Sequence, residues 1–375
     1  MTDLVVMSLE RWDDVWRRNQ HLVAGLLRHD PDLRVLFVEP PADPLHDVRE
    51  RRRPATGARV AEVPGVAPGR LWTARHVKWL PRRVDPRADE RLARAVIRSA
   101  ASLGMRAPVL WINDPGAATL ARISDWPMLY DVTDDWLSAD RPAAELERSA
   151  ENEAHLLDAA REVVVCSPEL ARRKGAARPV TLIPNAVDVA AYRRPATRPA
   201  DLPSGPVALY LGTVHPDRID VDLCEATALA LGTQGTLTLV GPNLLGPDAA
   251  QRLERAGARL LGARARDEVV GYLQHADVLV VPHVVNAFTD SLDPIKLYEY
   301  QAVGRPVVST AVAGFRDADD SRITIADGAD FVAAVVAAVP AATRFPDAAG
   351  GTTPDWADRV TAMWEVIGRV AAGRA

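Results

Sequence analysis

Short, continuous apolar segments that alternate with helical patterns are the feature that most constrains the fold of this chain. They lie at residues 4–7, 35–38, 109–112, 128–130, 163–166, 180–183, 207–211, 237–240, 278–281 and 306–308. A strand without polar alternation is buried on both faces, as happens in parallel sheets covered by helices. The sequence therefore predicts an α/β protein built on parallel sheets.

Amphipathic stretches at residues 15–28, 88–103 and 355–370 predict helices between and after these strands. The last stretch follows the Gly350-Gly351 pair, so the sequence leaves open which half of the protein it packs on. A Pro- and Arg-rich segment at 40–86 has no clear period. Long segments without regular structure are often functional, and we expect a functional role for this one.

The length of 375 residues predicts two domains. A Pro-rich segment after residue 192 is the best linker candidate, because prolines and glycines interrupt regular structure. We therefore predict a first domain at 1–192, a linker at 193–204, a second domain at 205–355 and a C-terminal helix at 356–375.

Composition excludes several classes of protein. Hydrophobic residues at 48% and charged residues at 25% are ordinary globular values, which excludes disordered and collagen-like chains. The net charge of −5 argues against a nucleic-acid partner held by phosphate neutralisation. Cys166 and Cys224 are far apart in the sequence and form no metal-ligand motif, which favours a reduced, cytoplasmic chain.

Membrane contact stays open at the level of sequence. The first apolar run is too short for a secretory signal, and no stretch is long and apolar enough to span a bilayer. Two basic clusters, at 51–53 and 82–83, leave a peripheral membrane contact as an alternative to ordinary solvated charges. The sequence does not fix the oligomeric state.

The familiar phosphate-binding and metal-binding motifs are incomplete or unspecific in this chain. The segment from Gly241 to Gly246 has P-loop glycine spacing, but Pro247 replaces the lysine. Asp-x-Asp pairs occur three times in unrelated contexts, which makes each a weak metal signal. We therefore expect neither a metal site nor a bound cofactor.

The most informative segment runs from residue 291 to residue 308. Asp293 is suited to cap a helix and Pro294 to start it. A helix that begins just beyond the carboxyl end of a parallel strand offers free N–H groups to a phosphate. Lys296 would add a positive charge there, and Glu299, one turn later, could accept hydrogen bonds from a ribose. An ordinary capped helix with surface Lys and Glu is the alternative.

This segment resembles the donor-binding signature of GT-B glycosyltransferases, especially family four. The matching residues are Pro-Ile-Lys-Leu-Tyr-Glu-Tyr at 294–300 and Ala-Val-Gly-Arg-Pro-Val-Val at 302–308. Weaker matches follow in the expected order at 180–188, with Ala186 in place of a glycine, and at Tyr210-Leu-Gly-Thr. Residues 12–22 resemble a subgroup linked to cell-surface polysaccharide synthesis. The resemblance implies two Rossmann-like domains that face a central cleft.

The same resemblance implies which residues bind the donor. The nucleotide and its diphosphate would contact Gly212, Thr213, Gly241, Arg264, Ile295, Lys296, Leu297 and Glu299. The donor sugar would contact His283, Asp290, Ser291 and Asp293. Ser291 stands where the family often has a second glutamate.

Catalytic and acceptor roles are implied less specifically. Lys296 and Arg218 would stabilise the leaving diphosphate, and Asp114 is the candidate base, with a loop-capping role as its alternative. The acceptor would contact Trp16, His21, Asn113 and Asp134. For Trp16 the alternative is core packing, and for Asp134 it is a turn within its own loop.

The resemblance implies a glycosyltransferase of the hexosyltransferase type. It would move a sugar from a UDP or dTDP sugar to a small-molecule, lipid-linked or polysaccharide acceptor, including natural products. Retention of anomeric configuration and independence from metal are implied as well. Two alternatives stay open: a nucleotide-sugar epimerase of the same fold, and an inactive module that binds a nucleotide sugar.

Overall fold

A computed structural model describes residues 2–49, 53–54, 57–138, 141–341 and 353–373. The chain forms two compact units: Met1–Pro184 with Ala357–Ala375, and Asn185–Trp356. The chain therefore enters the second unit after Pro184, and the segment expected to be the linker, 193–204, lies inside that unit.

The first unit begins with alternating strands and helices. Its strands are β1 Asp3–Met7, β2 Arg34–Val38, β3 Ala58–Glu62, β4 Leu71–Arg75, β5 Val109–Ile112, β6 Met128–Val132, β7 Glu162–Val165 and β8 Thr181–Leu182. Its helices before the second unit are α1 Arg18–His29, α2 Pro44–Arg49, α3 Ala88–Ser102, α4 Ala118–Ile123, α5 Ala143–Ala159 and α6 Pro168–Gly175.

The eight strands form one sheet in the order β3-β4-β2-β1-β5-β6-β7-β8. Every neighbouring pair is parallel except β3–β4, which is antiparallel. The predicted parallel sheet is confirmed, but the expectation of no regular structure at 40–86 is wrong. That segment contains α2 and two strands, β3 at the sheet edge and β4 between β3 and β2. Neither strand has the continuous apolar run that marks the central strands.

The second unit has the same alternation. Its strands are β9 Val207–Leu211, β10 Thr236–Val240, β11 Arg259–Gly262, β12 Val278–Val281, β13 Val307–Ser309 and β14 Ile323–Ile325. Its helices are α7 Val189–Arg193, α8 Val221–Leu231, α9 Pro247–Arg255, α10 Arg266–Gln274, α11 Ile295–Val303 and α12 Gly328–Ala341. The sheet order is β11-β10-β9-β12-β13-β14, and all its pairs are parallel.

The last helix, α13 at Trp356–Ala372, returns to the first unit. A Cβ atom added to Gly25 of α1 would lie 2.2 Å from a methyl group of Val360, so the two helices touch at this glycine. The ring centroids of His29 and Trp364 are 5.6 Å apart. The crossing of the C-terminal helix to the first unit, which the sequence left open, is therefore observed.

Both sheets are lined by apolar side chains. Leu4, Phe37 and Trp111 are fully buried in the first unit, as are Leu209 and Val280 in the second. Cys166 and Cys224 are both buried and form no disulfide. Among the described residues, no helix combines the length and the apolar character that crossing a bilayer requires.

Candidate functional site

Strand ends in the second unit place the predicted donor residues at one edge of its sheet. Strands β9 and β12 are parallel neighbours. Gly212 directly follows β9, and His283 comes two residues after β12. Because parallel strands present their carboxyl ends at the same edge, these residues lie beside the start of α11.

Lys296, in the first turn of α11, lies at the centre of this group. Its Nζ atom donates a hydrogen bond to the Tyr210 hydroxyl at 2.9 Å and lies 3.3 Å from Nε2 of His283. The same ammonium group lies 4.0 Å from the centroid of the Tyr210 ring, which is close enough for a cation–π contact. The structure thus brings Lys296, His283 and Tyr210 together.

The surroundings of Lys296 disfavour its charge. Burial lowers the pKa of its ammonium group to about 7, the nearby Arg218 contributes in the same direction, and Glu299 opposes them. Burial, together with Lys296 and Arg218, also holds the pKa of His283 well below its usual value. His283 is therefore a neutral hydrogen-bond acceptor for the lysine.

Two glycines bring the backbone close to this ammonium group. Gly212 has φ +141°, and a Cβ atom there would lie 3.0 Å from Nζ of Lys296. Gly241 has φ +143°, and a Cβ atom there would lie 2.0 Å from the Gly212 carbonyl oxygen. The positive φ angles and these close approaches favour glycine at both positions, and they let the backbone after β9 lie directly beside Lys296.

The start of α11 differs from the sequence expectation in one respect. Pro294 occupies the N-cap position, and no side chain caps the helix. The Asp293 carboxylate instead accepts hydrogen bonds from the Asn185 amide and, at 2.7 Å, from the Tyr298 hydroxyl. The prediction that Asp293 caps the helix is therefore wrong, and its carboxylate links two parts of the second unit.

The backbone donors of the first turn are only partly free. The Leu297 amide donates to the Pro294 carbonyl at 3.0 Å. In the described part of the chain, the amides of Ile295 and Lys296 have no acceptor. Such unpaired amides at a helix start attract anions.

Glu299 lies one helical turn after Lys296. Its carboxylate accepts a hydrogen bond from the Tyr192 hydroxyl. Burial raises the pKa of Glu299, while the Tyr192 hydrogen bond and Lys296 lower it. One oxygen of this carboxylate is thus oriented by Tyr192, which leaves further acceptor capacity for a diol.

Other predicted donor residues have partners of their own. Arg264 donates to Tyr272 at 2.7 Å and pairs with Asp201. Asp290 pairs with Arg316 at 2.6 Å.

The buried Ser291 hydroxyl donates to the Phe288 carbonyl at 2.8 Å. The guanidinium of Arg218 lies 5.4 Å from the centroid of the Phe288 ring. The Thr213 carbonyl accepts a hydrogen bond from Tyr210 at 3.1 Å.

The first unit places Asn113 in a buried polar network. Asn113 follows β5 and donates to the Asp131 backbone carbonyl at 2.8 Å. Its side-chain oxygen accepts from Asn19. Asp131 forms a salt bridge with Arg18 at 3.2 Å and accepts from the Trp111 indole at 3.2 Å. This network fixes the start of α1 against the carboxyl ends of β5 and β6.

The other predicted acceptor residues occupy separate places. Trp16 and His21 are in contact, with ring centroids 5.3 Å apart. Asp134 accepts a hydrogen bond from Thr133 at 3.2 Å. Asp114 accepts from the Gly116 amide at 2.7 Å, which is the loop-capping alternative, and burial raises the pKa of its carboxyl group.

Several site residues were missed at the level of sequence. Tyr210 and Tyr192 contact Lys296 and Glu299, and Asn185 holds Asp293. Gly314 has φ +80°, and a Cβ atom there would lie 3.0 Å from the Pro294 ring. Tyr210 was within reach of sequence reasoning, since it alternates with Gly212 in a motif already recognised as donor-binding.

Comparisons with known proteins assign the architecture. The structure superposes on a sucrose-phosphate synthase from Thermosynechococcus elongatus with a TM-score of 0.65 and 21% identity, over 100% of this chain and 98% of that one. It also superposes on Anabaena HepE in complex with UDP and glucose, with a TM-score of 0.60 and 15% identity, over 98% of this chain and 99% of that one. The chain has the GT-B fold of glycosyltransferases.

Two sequence comparisons add to the structural likeness of this GT-B chain. Residues 205–340 match the family described as Glycosyl transferases group 1. TuaH of Bacillus subtilis (strain 168), provisionally named a teichuronic acid biosynthesis glycosyltransferase, is 24% identical over 219 residues. That match spans about half of each protein, 54% of this chain and 55% of TuaH. The narrower assignment to family four stays a prediction.

Proposed function

We propose that this GT-B protein is a glycosyltransferase that moves a sugar from a nucleotide-diphosphate sugar to an acceptor hydroxyl. The observation that carries the proposal is the arrangement at the start of α11, where Lys296, two unpaired amides and the glycine backbone after β9 meet. The family match over residues 205–340, which include this arrangement, supports the same reading.

Departure of the nucleoside diphosphate is the step that this arrangement would accelerate. As the glycosidic bond breaks, negative charge develops on the leaving oxygen. The Lys296 ammonium and the amides of Ile295 and Lys296 would stabilise that charge, and Arg218 adds a second positive charge nearby. Because the chain itself supplies these positive groups, we propose that transfer needs no metal ion.

Glu299 would bind the ribose of the donor. Its carboxylate lies one turn from Lys296, and the Tyr192 hydroxyl holds it in place. A carboxylate with free acceptor positions can bind both hydroxyls of a diol. This role would explain why a buried carboxylate with a raised pKa is placed beside the diphosphate site.

The finer features of the reaction are proposed from relatives. HepE is in complex with UDP and glucose, which supports UDP as the nucleotide of the donor; dTDP is the alternative that the sequence left open. The name of TuaH supports a cell-surface polysaccharide, or its lipid-linked precursor, as acceptor. We propose retention of anomeric configuration, from the resemblance to family four, and Asp114 as a group that contacts the acceptor hydroxyl.

A ligand screen followed by an activity assay tests this function. Incubation with UDP, dTDP and their sugars should raise the melting temperature for at least one base, because a ligand that binds only the folded state stabilises it. Slow release of the same nucleoside diphosphate from its sugar would support a transferase. Tight binding without turnover would favour an inactive module, and interconversion of the sugar would favour an epimerase. Absence of any nucleotide binding would refute the proposal.

A further inference from the structure

The first unit contains a cavity of about 830 Å³ beside α3 and the segment after β4. Its volume lies within the usual range for small-molecule sites, about 300–1,000 Å³. All its described lining residues belong to the first unit. The predicted site residues do not line this cavity, and the cavity is therefore separate from the set of residues assigned to the donor.

Positive charge dominates the lining. Arg75, Lys78, Arg91 and Arg98 line the cavity, and Asp85 is the single carboxylate among its described lining residues. Arg91 pairs with Asp85, and Lys78 pairs with Asp43 at 2.5 Å. The excess of cations over carboxylates makes the cavity attractive to an anion.

Arg98 is the cation with the most freedom to bind a ligand. It is exposed on α3, and in the described part of the chain it has neither an ion pair nor a hydrogen bond. Arginine presents a planar set of donors that matches phosphate and carboxylate groups in two-point contacts. Its side chain would therefore recognise the anionic group of a ligand.

His76 adds ring surface to the cavity lining, but its Nε2 atom does not face the open space. Its Nε2 atom is shielded from solvent and has no hydrogen-bond partner among the described residues. Buried polar atoms without partners are rare in folded proteins. Burial, and then the charge of Arg98, lower the pKa of His76, so its ring is neutral and the anion site depends on the arginines.

An exposed aromatic ring completes the lining. Trp79 is 71% exposed, although tryptophan side chains are usually largely buried. An indole face beside cations offers a sugar ring an apolar surface for stacking. Together with the hydroxyl-bearing Ser99, the lining fits a saccharide better than a bare inorganic ion.

We propose that this cavity binds an anionic saccharide, meaning a sugar unit that carries a phosphate or a carboxylate. Arg98 would bind the anionic group, and Trp79 would stack on the sugar ring. Binding of the saccharide does not depend on the proposed function, because binding needs no turnover. Only the identification of this saccharide as the acceptor rests on the proposed function. A bilayer is the weaker occupant, because a flat surface cannot fill a concave cavity.

Calorimetric titration tests the proposal with three probes: glucose 6-phosphate, glucuronate and glucose. The full chain should bind at least one anionic probe saturably, with glucose weaker by about tenfold or more. Arg98→Gln should weaken that binding by about tenfold, whereas Arg94→Gln should not. Arg94 is the matched control because it lies one turn earlier on α3, pairs with Glu90 and does not line the cavity.

Three results would overturn this inference: equal binding of glucose and the anionic sugars, unchanged binding in R98Q, or no saturable binding of either anion. Sedimentation with vesicles rich in phosphatidylglycerol tests whether the cavity binds a lipid surface instead. Vesicle binding that R98Q abolishes, without sugar binding, would assign the cavity to lipid and refute a saccharide. R98Q should bind UDP as tightly as the unmodified chain does. Loss of saccharide binding can therefore be distinguished from loss of the donor site.

Discussion

Lys296 donates to Tyr210 at 2.9 Å, and in the described part of the chain no carboxylate forms an ion pair with it. Its partners are a neutral hydroxyl and the neutral ring of His283. Neutral partners orient the ammonium group without cancelling its charge. That charge is therefore available to an incoming diphosphate.

Replacing Lys296 with alanine should reduce turnover by at least about tenfold, because charge stabilisation of the leaving group is a large part of catalysis. The measurement is the steady-state rate of nucleoside diphosphate release. Circular dichroism should show an intact fold, since Lys296 forms no ion pair in the described structure. Unchanged turnover would remove Lys296 from the site.

Donor affinity should depend on pH through Lys296. Its pKa is lowered to about 7, so in the free protein the amine is mostly charged below that pH and mostly neutral above it. The charged form binds the anion, and affinity should therefore fall as the pH rises from about 6 to about 8. Titration with the nucleotide sugar found in the screen measures this.

The matched variant for the pH experiment is Lys296→Arg. Arginine stays protonated over this whole range, so the variant should bind with little dependence on pH. An identical slope in both proteins would assign the titration to another group.

Tyr210→Phe should weaken donor binding several-fold, because it removes the hydroxyl that links Lys296 to the Thr213 carbonyl. The lost hydrogen bonds should lower the free energy of unfolding by about 1–2 kcal/mol. Tyr298→Phe is the comparison, since its hydroxyl bonds to Asp293 instead of the ammonium. Equal loss of donor affinity in both variants would contradict a positioning role for Tyr210. Denaturant unfolding and calorimetry supply the two measurements.

Gly241→Ala should destabilise the second unit by at least about 1–3 kcal/mol, because of its positive φ and the close Gly212 carbonyl. Gly246→Ala is the control: its φ is −62°, and open space surrounds its Cβ position. That change should stay within about 1 kcal/mol. Thermal unfolding followed by calorimetry compares the two, and similar stabilities would argue against the tight packing of this loop.

Asp131→Ala should be among the most destabilising changes in the first unit. The Arg18 and Asp131 side chains are only 5% and 0% exposed, and removal of one partner leaves a buried charge. The expected cost is about 3–5 kcal/mol. Asp3→Ala breaks a more exposed pair with Arg34 and should cost about 1 kcal/mol or less. A larger loss of unfolding free energy for Asp3→Ala than for Asp131→Ala, measured by denaturant unfolding, would refute the role of burial.

The sequence predicted the sheets well where burial leaves a strong pattern. Apolar runs such as Val207–Leu211 and Val278–Val281 became central strands, because strands covered on both faces tolerate no polar alternation. Strands β3 and β4 were missed because neither has a continuous apolar run. Strand β3 forms the sheet edge, and the polar residues Thr73 and Arg75 interrupt β4 although it pairs on both sides.

The candidate site was predicted only where its residues share a local motif. Lys296 and Glu299 lie on one helix face, so spacing alone placed them together. The contact of Lys296 with Tyr210 joins residues far apart in the chain, and it follows from the order of strands in the sheet, which spacing does not encode. Asp293 has a local propensity to cap α11, but its carboxylate pairs with Asn185 instead.

The return of α13 to the first unit makes the second unit an insert whose two ends are both anchored in the same host. A truncation that removes α13 would therefore spare the unit that immediately precedes it and damage the one that begins the chain, where Gly25 would lose its cover. Anyone dissecting this molecule into separately expressed halves should carry α13 along with the N-terminal portion, joined across the excised insert.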